Sequence, residues 1–217
     1  MDPGGCRAAR LALLSMQRLT LGFVIAALTA CSKPAPKPVV VPEVFRVKFA
    51  TSQGDFVVEA TRAWAPHGVD RLHELVRMRY FDEGRVFRVL KGFIAQFGVH
   101  RDFNVHIVWR KLSILDDPPK EKNVRGTLAF AKSGPNTRAT EIFINLKDNP
   151  VLDEENFVPF GKIVDGIEVV DKFYAGYGEM RPIGKDIDPG RVEEEANEYL
   201  VPRFPKLDYI KRARFEQ

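Results

Sequence analysis

Between Val86 and Gly98 the chain reads Val-Phe-Arg-Val-Leu-Lys-Gly-Phe-Ile-Ala-Gln-Phe-Gly. Large apolar residues at Val86, Val89, Leu90, Phe93, Ile94 and Phe97 are too many for a solvated loop, so the run must be buried strand, interrupted by glycines. One arginine, Arg88, and one glutamine, Gln96, are set among them. They lie an even number of positions apart, and an unbroken strand would put both on one face. Gly92 stands between them and can bend the chain, which loosens that inference. Two readings stay open from the segment alone. It is a barrel strand whose arginine reaches water, or it is an apolar floor carrying a few convergent polar groups, the usual build of a small binding site.

The chain has 217 residues, of which 45% are hydrophobic and 29% charged, enough for one globular domain with appendages and a sizeable core. Its net charge is +4. Asp2, Arg7, Arg10 and Arg18 contribute +2 of this, so the remainder is only mildly basic. Basic residues are dispersed and aromatics sit in apolar runs, not between lysines, which is no signature of nucleic-acid binding. Cys6 and Cys31 are the two cysteines, and both precede the domain, so no disulfide framework is expected inside the fold. Gly176-Tyr177-Gly178 reads as a turn, not as a nucleotide fingerprint. His67 and His73 do not share a helix face, and His100 and His106 have no evident third ligand, so neither a metal nor a cofactor is expected.

Arg18 precedes the apolar run Leu19 to Ala30. Twelve residues fall short of the roughly 20 that a spanning helix needs, and fit the hydrophobic region of a secretory signal. Leu28-Thr29-Ala30-Cys31 then resembles the lipobox of bacterial lipoproteins, which implies removal of residues 1–30 and lipidation of Cys31, with palmitate among the lipids. Met16 offers a shorter signal. Residues 31–43 contain Pro34, Pro36, Pro38 and Pro42, the composition of an extended tether. The resemblance implies an outer-membrane anchor facing the periplasm, with Ser32 after the cysteine.

From Val44 to Ala175 the pattern is that of a mainly β domain. Phe45–Phe49 and Phe56–Glu59 alternate around a Ser52–Asp55 turn and predict an opening hairpin. Ala65–Tyr80, with Pro66 near its start, predicts a helix. Val99–Leu115 reads as strand or irregular chain. Thr127–Ala131 and Glu141–Asn145 predict strands around a Gly-Pro-Asn-Thr turn, and Phe157–Ile163 another, with Pro159 at an edge or bulge. Ile167–Tyr174 predicts a second helix. In the extension 176–217, Glu193-Glu194-Glu195 reads as a solvated charge run on a short helix. Asp208–Phe215 reads as a closing strand, or alternatively as a basic segment against an anionic membrane.

Three segments in order carry a more specific signal. They are the run around Arg88; Arg125-Gly126-Thr127-Leu128-Ala129-Phe130-Ala131-Lys132-Ser133-Gly134-Pro135-Asn136-Thr137 continuing to Asn145; and Leu152-Asp153 followed by Asn156-Phe157-Val158-Pro159-Phe160-Gly161. Together they resemble the cyclophilin family of peptidyl-prolyl cis/trans isomerases, from about Val44 to Phe173. The resemblance implies a closed antiparallel β-barrel of about eight strands capped by two α-helices. It also implies a cofactor-independent isomerase and folding helper that takes proline-containing peptides and unfolded proteins, here as a monomer. Arg88 matches the catalytic arginine. Phe93, Ile94, Phe143 and Leu152 match the slot for the proline ring, and Gln96 the glutamine that holds the substrate backbone. Ala131, Lys132 and Ser133 match the wall for the residues before proline.

This chain departs from the family pattern at several positions. Glu141 replaces a second glutamine; ionised, it cannot donate a hydrogen bond, and it is placed to pair with Arg88, orienting it or competing for it. Phe157 replaces a pocket histidine, Lys132 an asparagine, Ile94 a methionine and Phe97 a glycine. Val151 stands where animal members have a tryptophan that contacts cyclosporin, so weak cyclosporin sensitivity is expected. The rival reading is a non-catalytic peptide-binding module or chaperone on the same fold, because a fold does not fix a function.

Overall fold

A computed structural model describes residues 40–216. The signal segment, Cys31 and all but the last residues of the tether lie outside them. The first two strands, β1 (Val44–Thr51) and β2 (Gly54–Thr61), form the expected hairpin, in register from Val44 opposite Thr61 to Thr51 opposite Gly54. Helix α1 (Pro66–Arg77) follows. Next come β3 (Arg88–Val89), β4 (Ile94–Phe97), α2 (Phe103–Trp109), β5 (Thr127–Phe130), β6 (Ile142–Asn145), α3 (Pro150–Glu154), β7 (Pro159–Asp165) and α4 (Ile167–Val170). The chain ends with α5 (Pro189–Glu195), α6 (Asn197–Arg203) and β8 (Ile210–Phe215).

The eight strands make one antiparallel sheet in the order β3-β4-β6-β5-β7-β2-β1-β8. It is mainly β, as expected, but curled more than closed. The two edge strands meet through a single bridge, Arg85 opposite Tyr209, with backbone bonds from Val86 to Asp208 and from Ile210 to Gly84. The inner face is filled by Phe49, Phe56, Val58, Phe97, Leu128, Phe130, Ile142, Ile144 and Phe160, all at most 1% exposed. Alternation along each strand sends the intervening residues outward.

The expectation of two capping helices needs correction. Only α1 is longer than two turns, and the predicted second helix shrinks to Ile167–Val170. Val99–Leu115, read as strand or irregular, contains α2 instead. Asp102 caps that helix by accepting the Asn104 N–H, and His106 is drawn under α5 with no exposed surface. The β-branched run that suggests a strand is therefore overruled by a cap and a tertiary contact. Glu193 also departs from the solvated reading: Glu194 is exposed and Glu195 pairs with Arg191, but Glu193 turns inward to His106 and Arg110.

Candidate active site

Gly92 resolves the ambiguity of the Arg88 segment. With φ of +68° it sits in the turn of a hairpin, so β3 and β4 are two strands and not one. Arg88 lies directly opposite Gln96, Gln96 opposite Phe143 on β6, and Phe143 opposite Ala129 on β5. Facing partners of an antiparallel pair share a side of the sheet, with Cβ atoms about 5 Å apart. One row therefore crosses the outer face from a guanidinium through an amide to an aromatic ring. Ile94, two residues from Gln96, joins the same face.

Ile94, Ala129, Phe143 and Leu152 form one buried cluster separate from the barrel core, with Phe93, Ala131 and Phe157 partly buried at its margin. The Phe157 ring stands edge-on to Phe143, centroids 5.5 Å apart, and the Lys132 ammonium lies 5.4 Å from the Phe157 centroid. Val151, on α3 beside Leu152, is exposed. Beneath the slot three buried asparagines are knotted together. The Asn149 side chain donates to Asn145 Oδ1 (2.8 Å) and to the Phe93 carbonyl (3.0 Å). Asn145 donates to Asn123 (3.1 Å), and Asn123 to the Phe157 carbonyl (2.7 Å). The knot ties the turn after β3, the loop before β5 and the ends of α3 into one floor, in which the buried Asn149 Oδ1 alone has no partner.

Next to this slot is a cavity of about 490 Å³ lined by Gln96, Ala131, Lys132, Ser133 and Glu141, together with residues from α2 and from the segment after α4. Ser133 sits at its rim, its N–H donating to the Thr137 hydroxyl (3.0 Å). The expected site residues thus fall into one apolar cluster and one polar cavity, with Gln96 lining the cavity and Arg88, which lines neither, opposite Gln96.

Likeness to known proteins bears on this arrangement. Residues 46–187 match the family model described as cyclophilin type peptidyl-prolyl cis-trans isomerase/CLD. The chain belongs to the cyclophilin family. It is 32% identical over 165 residues to the peptidyl-prolyl cis-trans isomerase CYP23 of Arabidopsis thaliana, an alignment covering 72% of this chain and 71% of that one. A probable peptidyl-prolyl cis-trans isomerase of Brucella abortus is 33% identical over 134 residues, covering 57% of this chain and 68% of the other. A crystal structure of a cyclophilin type isomerase from Cryptosporidium parvum superposes with a TM-score of 0.57 at 22% identity, covering 80% of this chain and 98% of that one. A further structure of the Cryptosporidium protein was determined in the presence of the dipeptide Ala-Pro.

Several polar groups at the site escape a reading of the cyclophilin pattern. Arg88 pairs not with Glu141 but with Glu179: Nε–H donates to Oε1 (2.6 Å) and Nη2–H to Oε2 (2.5 Å). The remaining nitrogen, Nη1, donates to Gln96 Oε1 (3.0 Å). Gln96 Nε2 in turn donates to Glu141 Oε2 (2.6 Å). The Glu141 carboxyl lies beside that of Glu193, whose Oε2 faces His106 Nε2 (3.3 Å) and Arg110 Nη1 (3.2 Å). The chain of donors runs one way, from Arg88 through Gln96 to Glu141, and fixes which end of the Gln96 amide faces the arginine.

Charge in this row is settled by environment. Part of the Glu141 residue reaches the surface, but its carboxyl is enclosed; burial first, then Glu193, hold its pKa well above the ordinary carboxylate value. Glu193 moves the other way. Burial works to raise it, but hydrogen bonds from His106 and Glu141 and the charge of Arg110 bring it down to about 2. Of the two carboxyls, Glu141 is the one whose neutral form the surroundings favour. Burial likewise opposes ionisation of Glu179, and the Arg88 hydrogen bonds and charge with the Met180 N–H outweigh it and keep Glu179 below its usual range. In sequence, Glu179 is a lone acid and Glu193 the first of three, in a tail of mixed charge with no periodicity to mark either.

Proposed function

We propose that this cyclophilin accelerates rotation about X-Pro bonds in proteins of the bacterial cell envelope, as a monomer tethered by lipid at Cys31 and assisting their folding. The observation that carries the catalytic part is the row Arg88, Gln96, Phe143 across three strands, with the apolar slot of Phe93, Ile94, Leu152 and Phe157 beside it. In this reading the proline ring packs against that cluster. Gln96 and the wall of Ala131, Lys132 and Ser133 hold the backbone that precedes it.

The chemistry asks little. The barrier to peptide rotation, about 18–20 kcal/mol, is amide resonance. Twisting the bond leaves a lone pair on the prolyl nitrogen. Arg88 donates a hydrogen bond to that nitrogen and stabilises the twisted bond more than the planar one, which is the only kind of binding that raises a rate. No bond is made or broken, so neither nucleophile nor cofactor is required. Glu141, held neutral, can accept from Gln96 and donate to Glu193 together, as an amide would in its place.

A protease-coupled assay on an Ala-Pro peptide tests this. Wild type should exceed the buffer rate, and Arg88→Ala should lower kcat/KM by about a hundredfold or more. A second reading, a peptide-binding module without catalysis, is favoured by the pairing of the Arg88 charge with Glu179; peptide binding by a wild type with no rate above buffer would establish it. The envelope assignment rests on the lipobox-like segment. Fractionation of cells with mass analysis of the N-terminal peptide should find the protein in membranes, with Cys31 first and acylated; an unmodified N-terminus in the soluble fraction would refute it.

A further inference from the structure

Glu179 reaches Arg88 from a loop that the barrel holds at both ends. At its start, Tyr174 N–H donates to Asp208 (2.6 Å), just before β8. At its end, Ile187 is buried with Val192, Tyr199 and Leu200 against Phe87 and Val99, and Asp188 N–H donates to the Tyr199 hydroxyl (3.0 Å). Phe87 is the residue before Arg88, so the strand that carries the arginine also anchors the loop that grips it. Within the loop, Gly184 N–H donates to the Met180 carbonyl (2.8 Å) and Arg181 N–H to the Ile187 carbonyl (2.9 Å). Glu179 itself is fixed by the Met180 N–H (2.8 Å).

The contact is of a specific kind. A carboxylate meeting the Nε and Nη2 edge of a guanidinium with both oxygens fixes the plane of the group as well as its position. With Nη1 bonded to Gln96, three of the five N–H groups are committed and the arginine keeps one free on Nη1 and one on Nη2. We propose that Glu179 is the positioning residue of this site: it holds the outer edge of Arg88 closed, so that only the remaining N–H groups face the proline slot. The role rests on Arg88 being the group that acts on the prolyl nitrogen. Preorganisation of this sort is worth most when the donor must already stand where charge develops, because no reorganisation is left to the moment of reaction. An amide at position 179 has one acceptor oxygen in place of two and cannot close both bonds.

The test compares the full chain as wild type, Arg88→Ala, Glu179→Gln, Glu179→Ala and Glu179→Asp. It reads kcat and KM on an Ala-Pro peptide, the melting temperature, and the 15N resonance of Arg88 Nε. Glu179→Gln and Glu179→Ala should lower kcat by about ten- to a hundredfold with KM changed by less than about twofold, since the arginine acts only on the twisted bond. Glu179→Asp should recover part of the loss. The Nε–H signal should exchange slowly with water in wild type and broaden in Glu179→Gln. If kcat is unchanged, or rises because the carboxylate was masking the arginine, the positioning role is wrong. It is equally wrong if the rate falls only in step with the melting temperature while the Nε signal stays as in wild type. A wild type no faster than Arg88→Ala overturns the isomerase reading and this role with it, whereas an active wild type beside an unaltered Glu179→Gln overturns this role alone.

Discussion

A carboxyl group enclosed between an amide and a second carboxylate cannot ionise without setting two negative charges side by side. That is the position of Glu141, and it makes a pH-dependent contribution whose sign follows from the direction of its shift. Below the ordinary carboxylate value both the folded and the unfolded chain hold the proton, and nothing is lost. As pH rises past that value the unfolded chain releases a proton that the fold retains, so stability falls until the folded carboxyl ionises too. Glu141→Gln keeps the hydrogen bonds without the penalty. Melting curves should therefore show the variant gaining on wild type as pH rises above about 4.5, with the two alike below it. Its isomerase rate should stay within about threefold of wild type, because a neutral acid and an amide offer comparable donors and acceptors. Glu193 has the opposite sense. Its stabilising charge is fully present above the ordinary carboxylate range and is lost as pH falls toward about 2.

At the scale of elements, the site depends on parts that lend one another their missing groups. Helix α1 begins after Ala65, which has no side chain to cap it. Asp117, fifty residues on, accepts the N–H groups of His67 and Gly68 (both 2.9 Å) and pairs with Arg138, itself 2% exposed. Asp117→Ala leaves a buried guanidinium short of its partner and a helix end open, and should cost about 3–5 kcal/mol in denaturant unfolding. Gly98 closes the strand beside Gln96 at φ +118°, where a Cβ would come within 2.3 Å of the Thr140 carbonyl. Gly98→Ala must push back the backbone that carries Glu141, so both melting temperature and peptide affinity should drop. The opening hairpin and α1 are legible in the sequence because each buries one face and so shows its own period, 2 or 3.6. Helix α2 is not, because its start depends on the Asp102 cap and its burial on α5, and neither leaves a repeat in Val105–Trp109.

The whole sheet needs its last strand. β8 pairs with β1 from Val47 opposite Phe215 to Thr51 opposite Ile210, and Ile210 and Ala213 are buried in the main core. A chain ending after Leu207 would leave the β1 edge unpaired and open the seam between Arg85 and Tyr209. It should melt at a lower temperature and elute as aggregates in size-exclusion chromatography. The stretch before β8 carries α5 and α6, whose cluster with Phe87 supports the loop holding Glu179. The C-terminal forty residues thus complete the barrel and furnish two of the four carboxylate and guanidinium groups in the polar row.

By itself the sequence determined the fold class, the opening hairpin, the first helix and the run of residues from Arg88 to Phe157 that now line one slot and one cavity. These are recorded locally, as alternation, as turn residues and as ordered motifs. Only the tertiary structure decided that Gly92 turns one apparent strand into a hairpin, that α2 is a helix, that the Glu141 carboxyl is enclosed beside Glu193, and that Arg88 answers to Glu179. Each of those outcomes depends on what stands across a gap of tens of residues, and a charge's partner, unlike a strand's pleat, leaves no period in the chain.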